Sequence, residues 1–318
     1  MTATVPDVTF IIAAYNAERF LADAIESSLA QRDIVAEVVV ADDRSTDGTV
    51  DVARRYEREN VSVVALPQNG GPSAARNAAI ARARGRWLAV LDSDDILRPD
   101  RTTRMIALAE SSGAEVVVDN VEVATADGAV RAMFDPVDLK RLGHIDLPAF
   151  ILSNRVFRST HNFGYMKPML RRDFVTARGL RYDESLRIGE DYVFLASALA
   201  MGARCVVDPD AGYVYRVRGD SISAVLELAH VRSLQRADAA FERSHVLDDD
   251  ARRAMNKRKW NLAEAAAYLE LVDHIKDRAV VPALSTAIAC PSALRLLRMP
   301  IGVRLRRLAT LFPILRSV

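Results

Sequence analysis

The amino-acid sequence predicts an α/β fold in which a mostly parallel, Rossmann-like sheet is covered by helices. Over the first 120 residues, short apolar runs rich in β-branched residues alternate with segments whose apolar residues have helical spacing. The runs are almost entirely apolar, as expected for strands that are buried on both faces. This alternation is typical of α/β domains. The five runs cover residues 8–13, 37–41, 61–66, 87–91 and 114–118.

The alternation becomes less regular after Val121, and helices dominate from Asp248 onward. Residues 122–133, with Asp127-Gly128 at their centre, indicate a hairpin. We therefore expect a nucleotide-binding α/β domain over residues 1–223 and a helical extension over residues 224–318. The remaining expected elements are helices at 147–155, 190–201 and 225–245, short strands at 205–207 and 213–216, and helix interruptions at Pro282, Pro291 and Pro300.

Composition excludes several classes of protein. The formal net charge of the 318 residues is +1, which argues against nucleic-acid binding through bulk charge. Cys205 and Cys290 are the only cysteines, which favours free thiols in a reducing compartment. The N-terminus does not resemble a signal peptide, and no apolar run approaches the roughly 20 residues needed to span a bilayer. These features predict a cytoplasmic protein.

The C-terminal segment is strongly basic. Residues 279–318 contain six arginines and no Asp or Glu, so this segment carries +6 and the preceding residues sum to 1 − 6 = −5. Apolar residues and arginines alternate there in an amphipathic manner. We expect either peripheral contact of residues 292–318 with the inner face of the cell membrane or packing on the domain with exposed arginines.

Polar side chains follow four consecutive strands at the predicted carboxyl edge of the sheet. In an open α/β sheet, ligands bind beyond that edge, where the loops converge. A helix cap would explain any one of these groups, but four together predict a binding site. The groups are Ala14, Tyr15 and Asn16; Asp42 and Asp43; the turn 69–72 with Arg76 after it; and Asp92, Ser93, Asp94 and Asp95.

The acidic run Asp92, Asp94 and Asp95 is the strongest single feature. Carboxylates this close repel one another unless solvent or a cation neutralises them. A divalent ion such as Mg²⁺ or Mn²⁺ prefers oxygen ligands and keeps positions open for phosphate oxygens. We expect one carboxylate to bind the metal and another to hold ribose or a metal-bound water. The alternative is a helix cap, although Asp100 lies nearer to the next helix.

Two other strand ends offer groups for a nucleotide. The carboxylate of Asp43 is suited to accept the N–H of a pyrimidine, and Tyr15 either stacks on that base or packs in the core. The turn 70–73 opens a helix whose N-terminus suits a phosphate, and Arg76 is suited to pair with a diphosphate. Asp47 is expected to cap the helix after the second strand.

Glu190 and Asp191 begin a predicted helix and are the last acidic candidates. Simple capping would explain them, because the helix dipole favours acids at this end. The same dipole keeps Asp191 ionised, as a general base must be. Further candidates for contacts with the donor or acceptor are Asp95, Glu190, His161, Asn162 and Lys167, of which His161 also fits an ordinary loop residue.

Four stretches resemble the family 2 glycosyltransferases, which have the GT-A fold. In combination they are highly specific, and they cover roughly residues 8–202 in the family's order. They are VTFIIAAYNAERFLADAIESSLAQ, VVVADDRSTDGT, QNGGPSAARNAAIARARGRWLAVLDSDD and ESLRIGEDYVFLASALAMG.

This resemblance implies a role for each matching residue. Asp43 would recognise the uracil of a UDP-sugar with Tyr15 beside it, and Asp92 and Asp94 would form the metal-and-ribose pair. Asp191 would remove a proton from the acceptor hydroxyl on the side opposite the leaving UDP, so the anomeric configuration would invert. Ala14, Asn16, Arg76 and Ser93 complete the implied nucleotide-sugar site.

The sequence also resembles bacterial exopolysaccharide enzymes, in particular succinoglycan-type glucosyltransferases. That resemblance implies non-processive transfer of glucose from UDP-glucose to a lipid-linked saccharide, with Mn²⁺ or Mg²⁺ as cofactor. Processive relatives carry a Gln-x-x-Arg-Trp motif, which no glutamine of this chain begins; residues 215–221 take its place. The first strand ends in Ala13-Ala14-Tyr15-Asn16 instead of the usual apolar-Pro-Thr-Tyr-Asn.

Three other functions are disfavoured. A nicotinamide-dependent oxidoreductase needs Gly-x-Gly-x-x-Gly after the first strand, and residues 13–19 contain no glycine. A sugar-phosphate nucleotidyltransferase carries a Gly-rich basic loop at the same place. A non-catalytic nucleotide-sugar-binding or scaffold protein would be free to lose Asp94 and Asp191, yet both are present.

Overall fold

The computed structural model describes residues 5–58, 60–125, 128–158, 161–217 and 226–298. Ten strands occur in these residues: β1 (Val8–Ala14), β2 (Ala36–Asp42), β3 (Val61–Ala65), β4 (Trp87–Asp92), β5 (Ile96–Leu97), β6 (Val116–Ala124), β7 (Val130–Ala132), β8 (His144–Ile145), β9 (Met169–Arg171) and β10 (Cys205–Arg216). They form one sheet in the order β3-β2-β1-β4-β9-β6-β10-β5, with β7 beside β6 and β8 beside β10.

The α-helices of the described residues number eleven. They are α1 (Leu21–Leu29), α2 (Thr49–Arg55), α3 (Pro72–Arg82), α4 (Arg101–Ser112), α5 (Pro136–Leu142), α6 (Leu147–Ser153), α7 (Arg172–Ala177), α8 (Glu190–Ala200), α9 (Leu228–Ser244), α10 (Asp249–Lys276) and α11 (Val280–Ala289). Two 3₁₀ helices cover Phe163–Tyr165 and Pro291–Leu297. The predicted α/β class, the five predicted N-terminal strands and the β6–β7 hairpin are therefore confirmed.

The long strand pairings are parallel, as expected, and short antiparallel strands make the sheet mixed. β3, β2, β1 and β4 are parallel, as are β6 and β10, but β9 is inserted antiparallel between β4 and β6. β5, β8 and β9 have only two or three residues each. Strands this short leave no periodic pattern in the sequence, which explains why they were not predicted.

Two local predictions were wrong. The segments 205–207 and 213–216 belong to one strand, β10, whose pairing with β6 is irregular around Asp208–Ala211. Pro282 lies inside α11 and does not interrupt a helix; the break falls before it, where Arg278 adopts φ +56°. Pro300 and the proposed boundary near residue 223 lie outside the described residues.

The core lies on both faces of the sheet because successive side chains of β1 point in opposite directions. Phe10 and Ile12 pack on the face that α1 and α4 cover, with Met105 among their neighbours. Ile11 faces the other side, where Phe150 of α6 and Phe194 of α8 complete the core.

The C-terminal helices are tied to α8. Arg258 of α10 is buried, and its Nε donates to Asp238 of α9 at 2.8 Å. The Arg258 guanidinium also lies over the ring of Tyr192 in α8, 3.8 Å from its centroid. The helical extension therefore supports the helix that carries Glu190 and Asp191.

No single helix in the described part of the chain is long and apolar enough to cross a bilayer. The helices Val280–Ala289 and Pro291–Leu297 reach the required length and composition only when counted together, and they are bent at 113°. Half of the basic segment 279–318, residues 299–318, lies outside the described residues.

Candidate active site

The carboxyl ends of β1, β2 and β4 lie side by side, as the sequence predicts. In the parallel register, Ala14 pairs with Asp42 and Ala13 with Asp92, so both acids flank the end of β1. Ala14 is buried, and its carbonyl accepts the Asp43 N–H at 2.8 Å. Three of the four predicted clusters therefore begin at one edge of the sheet.

Tyr15 and Asn16 follow the end of β1, and their side chains have different environments. Tyr15 is 48 % exposed, which contradicts core packing and leaves its ring accessible to a base. Asn16 adopts φ +49°, and its side-chain carbonyl accepts the Thr46 N–H at 2.9 Å. The Asn16 N–H donates to Ser45 Oγ at 3.0 Å. Asn16 therefore joins the loops after β1 and β2.

The carboxylate of Asp43 holds the turn before α3. It is buried and accepts the N–H of Gly70 at 2.7 Å on Oδ1 and the N–H of Gly71 at 2.8 Å on Oδ2. Each carboxylate oxygen has a second lone pair. The predicted contact of Asp43 with a pyrimidine is thus compatible with this turn and stays a prediction. Asp47 accepts the Thr49 N–H at 3.0 Å at the start of α2, as expected.

Arg76 differs from the expectation that it pairs with a diphosphate. It lies one turn inside α3, faces the sheet and is 5 % exposed. Its Nη2 donates to Asp92 Oδ1 at 2.8 Å, and its Nη1 donates to Glu190 Oε1 at 2.9 Å and lies 3.0 Å from Asp191 Oδ1. Three carboxylates already surround this buried guanidinium. Arg76 therefore holds these acidic side chains in position from the buried side of the site.

Glu190 and Asp191 begin α8 directly after Gly189, which adopts φ +85°. Both carboxylates point to cations of the site, Glu190 to Arg76 and Asp191 to Lys167. Simple capping therefore does not account for them. Asp191 Oδ1 is buried and has no partner of hydrogen-bond geometry among the described residues.

Lys167 joins the two acidic clusters. Its buried ammonium lies 2.8 Å from Asp92 Oδ2 and 2.7 Å from Asp191 Oδ2. The Lys167 carbonyl accepts Arg101 Nη2 at 2.9 Å, and Arg101 is itself paired with Asp119 at 2.8 Å in the core. The sequence suggested Lys167 only as a substrate contact, whereas in the structure its ammonium lies between the loop after β4 and α8.

The mutual attraction of these charges offsets their burial. Burial disfavours the ammonium, but Asp191 and Asp92 outweigh this effect and raise the pKa of Lys167. Burial also disfavours the carboxylate of Asp92, yet Lys167 and Arg76 lower its pKa. Burial and the charge of Asp191 raise the pKa of Glu190. The site is a compact network of two cations and three carboxyl groups.

Asp95 lies in a different environment. It is buried, and it accepts the Tyr213 hydroxyl at 2.7 Å and the Arg216 N–H at 2.9 Å. Burial, followed by the charge of Asp92, raises the pKa of Asp95 to about 8. The two cations at Asp92 and the raised pKa of Asp95 therefore offset part of the repulsion that suggested a metal ion. Nothing in the sequence indicates the contact between Tyr213 and Asp95.

A divalent ion fits Asp94 better than Asp92. Both oxygens of Asp92 already face cations, so a metal beside them would displace Arg76 or Lys167. Asp94 and Ser93 are half-buried in the same loop. The described residues contain no cluster of three or more His, Cys, Asp or Glu that could hold a metal. An ion at Asp94 would need ligands from water and phosphate, as hard cations commonly use.

The predicted acceptor residues His161 and Asn162 lie in an aromatic group. His161 is edge-on to Phe134 and to Tyr165, with ring centroids 6.2 and 6.0 Å apart. Asn162 accepts the Gly164 N–H at 2.8 Å, so its side chain shapes the local 3₁₀ helix. Tyr165 is 37 % exposed and lies two residues before Lys167. Contact of this group with an acceptor stays a prediction.

The family can be assigned on this geometry together with comparison to known proteins. The model of the family "Glycosyl transferase family 2" matches residues 9–174, which is more than half of the chain and spans β1 to β9 with Lys167. The chain belongs to glycosyl transferase family 2. The family assignment inferred from the motifs is therefore confirmed.

Two relatives from Rhizobium meliloti (strain 1021) are similar over most of their length. Succinoglycan biosynthesis protein ExoO is 52 % identical over 97 % of this chain and 88 % of its own length. Succinoglycan biosynthesis protein ExoU is 36 % identical over 92 % of this chain and 86 % of its own length.

Two solved structures share the fold. One is S. aureus TarS 1–349 in complex with UDP-GlcNAc, with a TM-score of 0.62 and 19 % identity over 88 % of this chain and 90 % of TarS 1–349. The other is the mannosyltransferase PcManGT from Pyrobaculum calidifontis in complex with GDP-Man and Mn²⁺, with a TM-score of 0.60 and 19 % identity over 95 % and 81 % of the two chains. The chain therefore has the GT-A fold of these glycosyltransferases.

Proposed function

We propose that this family 2 glycosyltransferase is an inverting, metal-dependent, non-processive enzyme of exopolysaccharide biosynthesis. It transfers a sugar, glucose from UDP-glucose, to a hydroxyl of a lipid-linked oligosaccharide. The observation that carries the proposal is the ion-paired network in which Lys167 and Arg76 hold Asp191 beside the loop after β4. This network places a carboxylate suited to proton transfer next to residues suited to bind a nucleotide-sugar.

The relatives support the pathway and the class of donor. ExoO and ExoU are named for succinoglycan biosynthesis. Both alignments cover more than nine-tenths of the residues of this chain. TarS 1–349 binds UDP-GlcNAc and UDP, and PcManGT binds GDP-Man with Mn²⁺. A nucleotide-sugar donor and a divalent ion are accordingly part of the proposal. Its cytoplasmic location and its contact with a membrane stay predictions.

On the donor side, the exposed ring of Tyr15 stacks on the base and Asp43 accepts a base N–H. Asp94 holds the divalent ion, with Ser93 and Asp92 in the same loop. When bound there, the ion supplies positive charge that stabilises the negative charge growing on the departing diphosphate. Arg76 does not reach the diphosphate directly; it fixes Asp92 and thereby the loop.

On the acceptor side, Asp191 removes the proton of the attacking hydroxyl. Its Oδ1 is buried against Arg76, which leaves Oδ2 as the oxygen that an acceptor reaches. Oδ2 retains a lone pair beside its bond to Lys167. A base on this side of the site, opposite the leaving group, gives inversion at the anomeric carbon. No covalent nucleophile is needed.

The test is a donor screen in which purified protein is incubated with Mn²⁺ or Mg²⁺ and a panel of nucleotide-sugars while UDP release is followed. We expect turnover with a UDP-hexose. In Asp191→Asn, kcat should fall by about 10²- to 10⁴-fold, because proton transfer is lost together with the ion pairs to Arg76 and Lys167. Donor affinity should change much less, because Asp191 lies on the acceptor side. In Asp94→Asn, donor affinity should become insensitive to the metal.

The matched control is Asp138→Asn, which changes an exposed acid on α5. It should leave both kcat and donor affinity unchanged. Full activity in Asp191→Asn would show that Asp191 is not the general base. Donor binding without turnover by the wild-type chain, even with extracted lipid-linked acceptors, would favour the non-catalytic scaffold instead.

A further inference from the structure

α11 is an apolar helix that the described residues leave largely exposed. Its sequence is apolar except for Ser285 and Thr286, yet none of its ten residues, all described by the structure, is buried. A lone exposed apolar residue is ordinary, but a contiguous patch marks a binding surface. The most exposed large side chains are Val280, Val281, Leu284 and Ile288, at 67, 77, 58 and 78 %.

The patch continues into the 3₁₀ helix that follows α11. There Ala293 and Leu296 pack against Tyr268 of α10, which fixes the segment to the protein. Leu294 faces outward and is 44 % exposed. α11 and Leu294 thus form one anchored apolar face on the helical extension.

Basic residues lie at both ends of this face, together with the exposed Asp273 and Asp277 at the end of α10. Arg278 precedes α11, and Arg295 and Arg298 follow it; all three are exposed. The sequence from residue 279 to residue 318 contains no acidic residue. An apolar strip with basic flanks is complementary to a surface that combines anionic headgroups with acyl chains. It is poorly suited to self-association, because a second copy would place arginines against arginines.

Trp260 extends the face along α10. Ala267 of α10 packs with Ala293 and Leu296, so this stripe of α10 faces the 3₁₀ helix. Trp260 precedes Ala267 by seven residues, which places it on the same stripe about 10 Å away. It is 79 % exposed and lies beside the exposed Lys257 and Lys259. Tryptophan and lysine together are typical of membrane interfaces.

We propose that α11, with Trp260 and the flanking arginines, docks the enzyme on an anionic phospholipid membrane. A ten-residue helix is about 15 Å long, which is half the thickness of a bilayer core, so α11 lies in the interface and does not span it. From the sequence, membrane contact of residues 292–318 was one of two alternatives, beside packing on the domain. The contact proposed here begins earlier, at Val280, because α11 already exposes apolar side chains before residue 292.

The test is co-sedimentation of the full chain with vesicles of phosphatidylglycerol and phosphatidylcholine. We expect binding that weakens with salt and is lost on pure phosphatidylcholine. Leu284→Ser combined with Ile288→Ser should weaken partitioning about tenfold or more. Val246→Ser is the matched control, because Val246 is 96 % exposed in the α9–α10 loop, and it should bind as the wild type does. Trp87 is buried, so a blue shift of tryptophan emission on binding reports Trp260.

Three results would overturn the docking surface. The first is equal binding by wild type and the α11 double variant, or no vesicle binding at all. The second is concentration-dependent dimerisation that the double variant abolishes, which would assign the face to a second copy. The third is slow maleimide labelling of Ile288→Cys relative to Val246→Cys, both in a Cys290→Ser background, because the chain itself would then cover α11. UDP release with soluble substrates is unaffected by any of these outcomes, so it tests the proposed function separately.

Discussion

Lys167 Nζ lies 2.7 Å from Asp191 Oδ2, so the base proposed for acceptor activation is held by a buried ammonium. The same nitrogen lies 2.8 Å from Asp92 in the loop after β4. Arg101 fixes the Lys167 backbone from the core through a 2.9 Å hydrogen bond to its carbonyl. Lys167 is therefore, with Arg76, one of two cations that fix the position of Asp191 relative to the loop after β4.

Replacement of this ammonium should impair catalysis more than donor binding. Lys167→Met removes one of the two cations shared by Asp92 and Asp191 and leaves Arg76 as the other, so the two carboxylates are held less closely. Misplacement of a reacting group by about 1 Å costs roughly 10²-fold in rate, and we expect kcat to fall by about that factor. The measurement is steady-state sugar transfer together with calorimetric binding of UDP.

Lys140→Met is the control for this change, because Lys140 is an exposed residue of α5. It should alter neither kcat nor UDP affinity. Lys167→Arg should recover part of the lost rate, because it restores the charge in a different shape. A Lys167→Met enzyme with kcat within twofold of the wild type would show that Asp191 is positioned without the ammonium.

Arg76 should matter for stability as well as for activity. Arg76→Met leaves Asp92, Glu190 and Asp191 buried with Lys167 as their remaining cation among the described residues. Breaking a buried ion pair costs about 3 kcal/mol or more, and we expect the free energy of unfolding to fall by about that amount. Urea denaturation measures this loss.

Arg82→Met on the same helix is the comparison, because Arg82 is exposed in the last turn of α3. It should change the free energy of unfolding by less than about 0.5 kcal/mol. Equal losses of unfolding free energy in the two variants would mean that the buried ion pairs of Arg76 do not stabilise the fold.

Much of the fold and of the site's location followed from the sequence. Apolar runs buried on both faces identified β1, β2, β3 and β4, because such strands leave a continuous signal. The rule that loops converge at the carboxyl edge then placed Tyr15, Asp43 and Asp92 together. The structure confirms that edge through the pairing of Ala13 with Asp92 and Ala14 with Asp42.

The partners within the site could not be predicted in this way. Arg76 meets Glu190 across 114 residues of chain, and Lys167 reaches Asp92 because β9 is inserted beside β4. β9 has three residues, which are too few to show a periodic pattern in the sequence. The raised pKa of Asp95 likewise depends on burial, beside the hydroxyl of Tyr213, which local sequence does not reveal.

Glu37 predicts a pH dependence of stability away from the site. Burial alone would raise its pKa, but hydrogen bonds from Thr9 at 2.5 Å and from Arg84 at 2.7 and 2.8 Å outweigh burial and lower the pKa. A depressed carboxyl pKa stabilises the fold above the unfolded value near 4.5. This stabilisation is lost as the pH falls through the folded pKa.

Glu37→Gln should therefore be less stable than the wild type at pH 7 by about 1.5–3 kcal/mol, as for other hydrogen bonds to charged groups. The difference should begin to shrink as the pH falls below about 4.5, where the carboxyl of the unfolded chain takes up a proton, and should shrink further as the pH falls through the lowered pKa of the folded state. Urea denaturation at pH 7 and at about pH 3 measures both values. Glu57→Gln, at an exposed position of the α2–β3 loop, should show no such change. A difference in unfolding free energy between Glu37→Gln and the wild type that does not change with pH would contradict a lowered pKa of Glu37.

Gly71 links the backbone of the turn before α3 to donor binding. It adopts φ +84° and ψ 176°, and a Cβ there would lie 2.0 Å from Arg187 Nη1. Only glycine adopts this conformation readily, so Gly71→Ala should cost about 1–3 kcal/mol of folding free energy. The same change should displace Arg187 and disturb the hydrogen bond from the Gly71 N–H to Asp43, at 2.8 Å. We therefore expect UDP to bind about fivefold more weakly or worse.

Gly113→Ala separates these two effects. Gly113 ends α4 at φ +66°, and a Cβ there would meet no atom within 4 Å. Its substitution should cost about 1 kcal/mol through the backbone alone and leave the affinity for UDP unchanged. Urea denaturation and calorimetric titration of UDP with Mn²⁺, applied to both variants, measure the two effects. If Gly71→Ala loses stability but binds UDP as tightly as Gly113→Ala does, the turn held by Asp43 lies outside the donor site, and the nucleotide must bind elsewhere along the sheet edge.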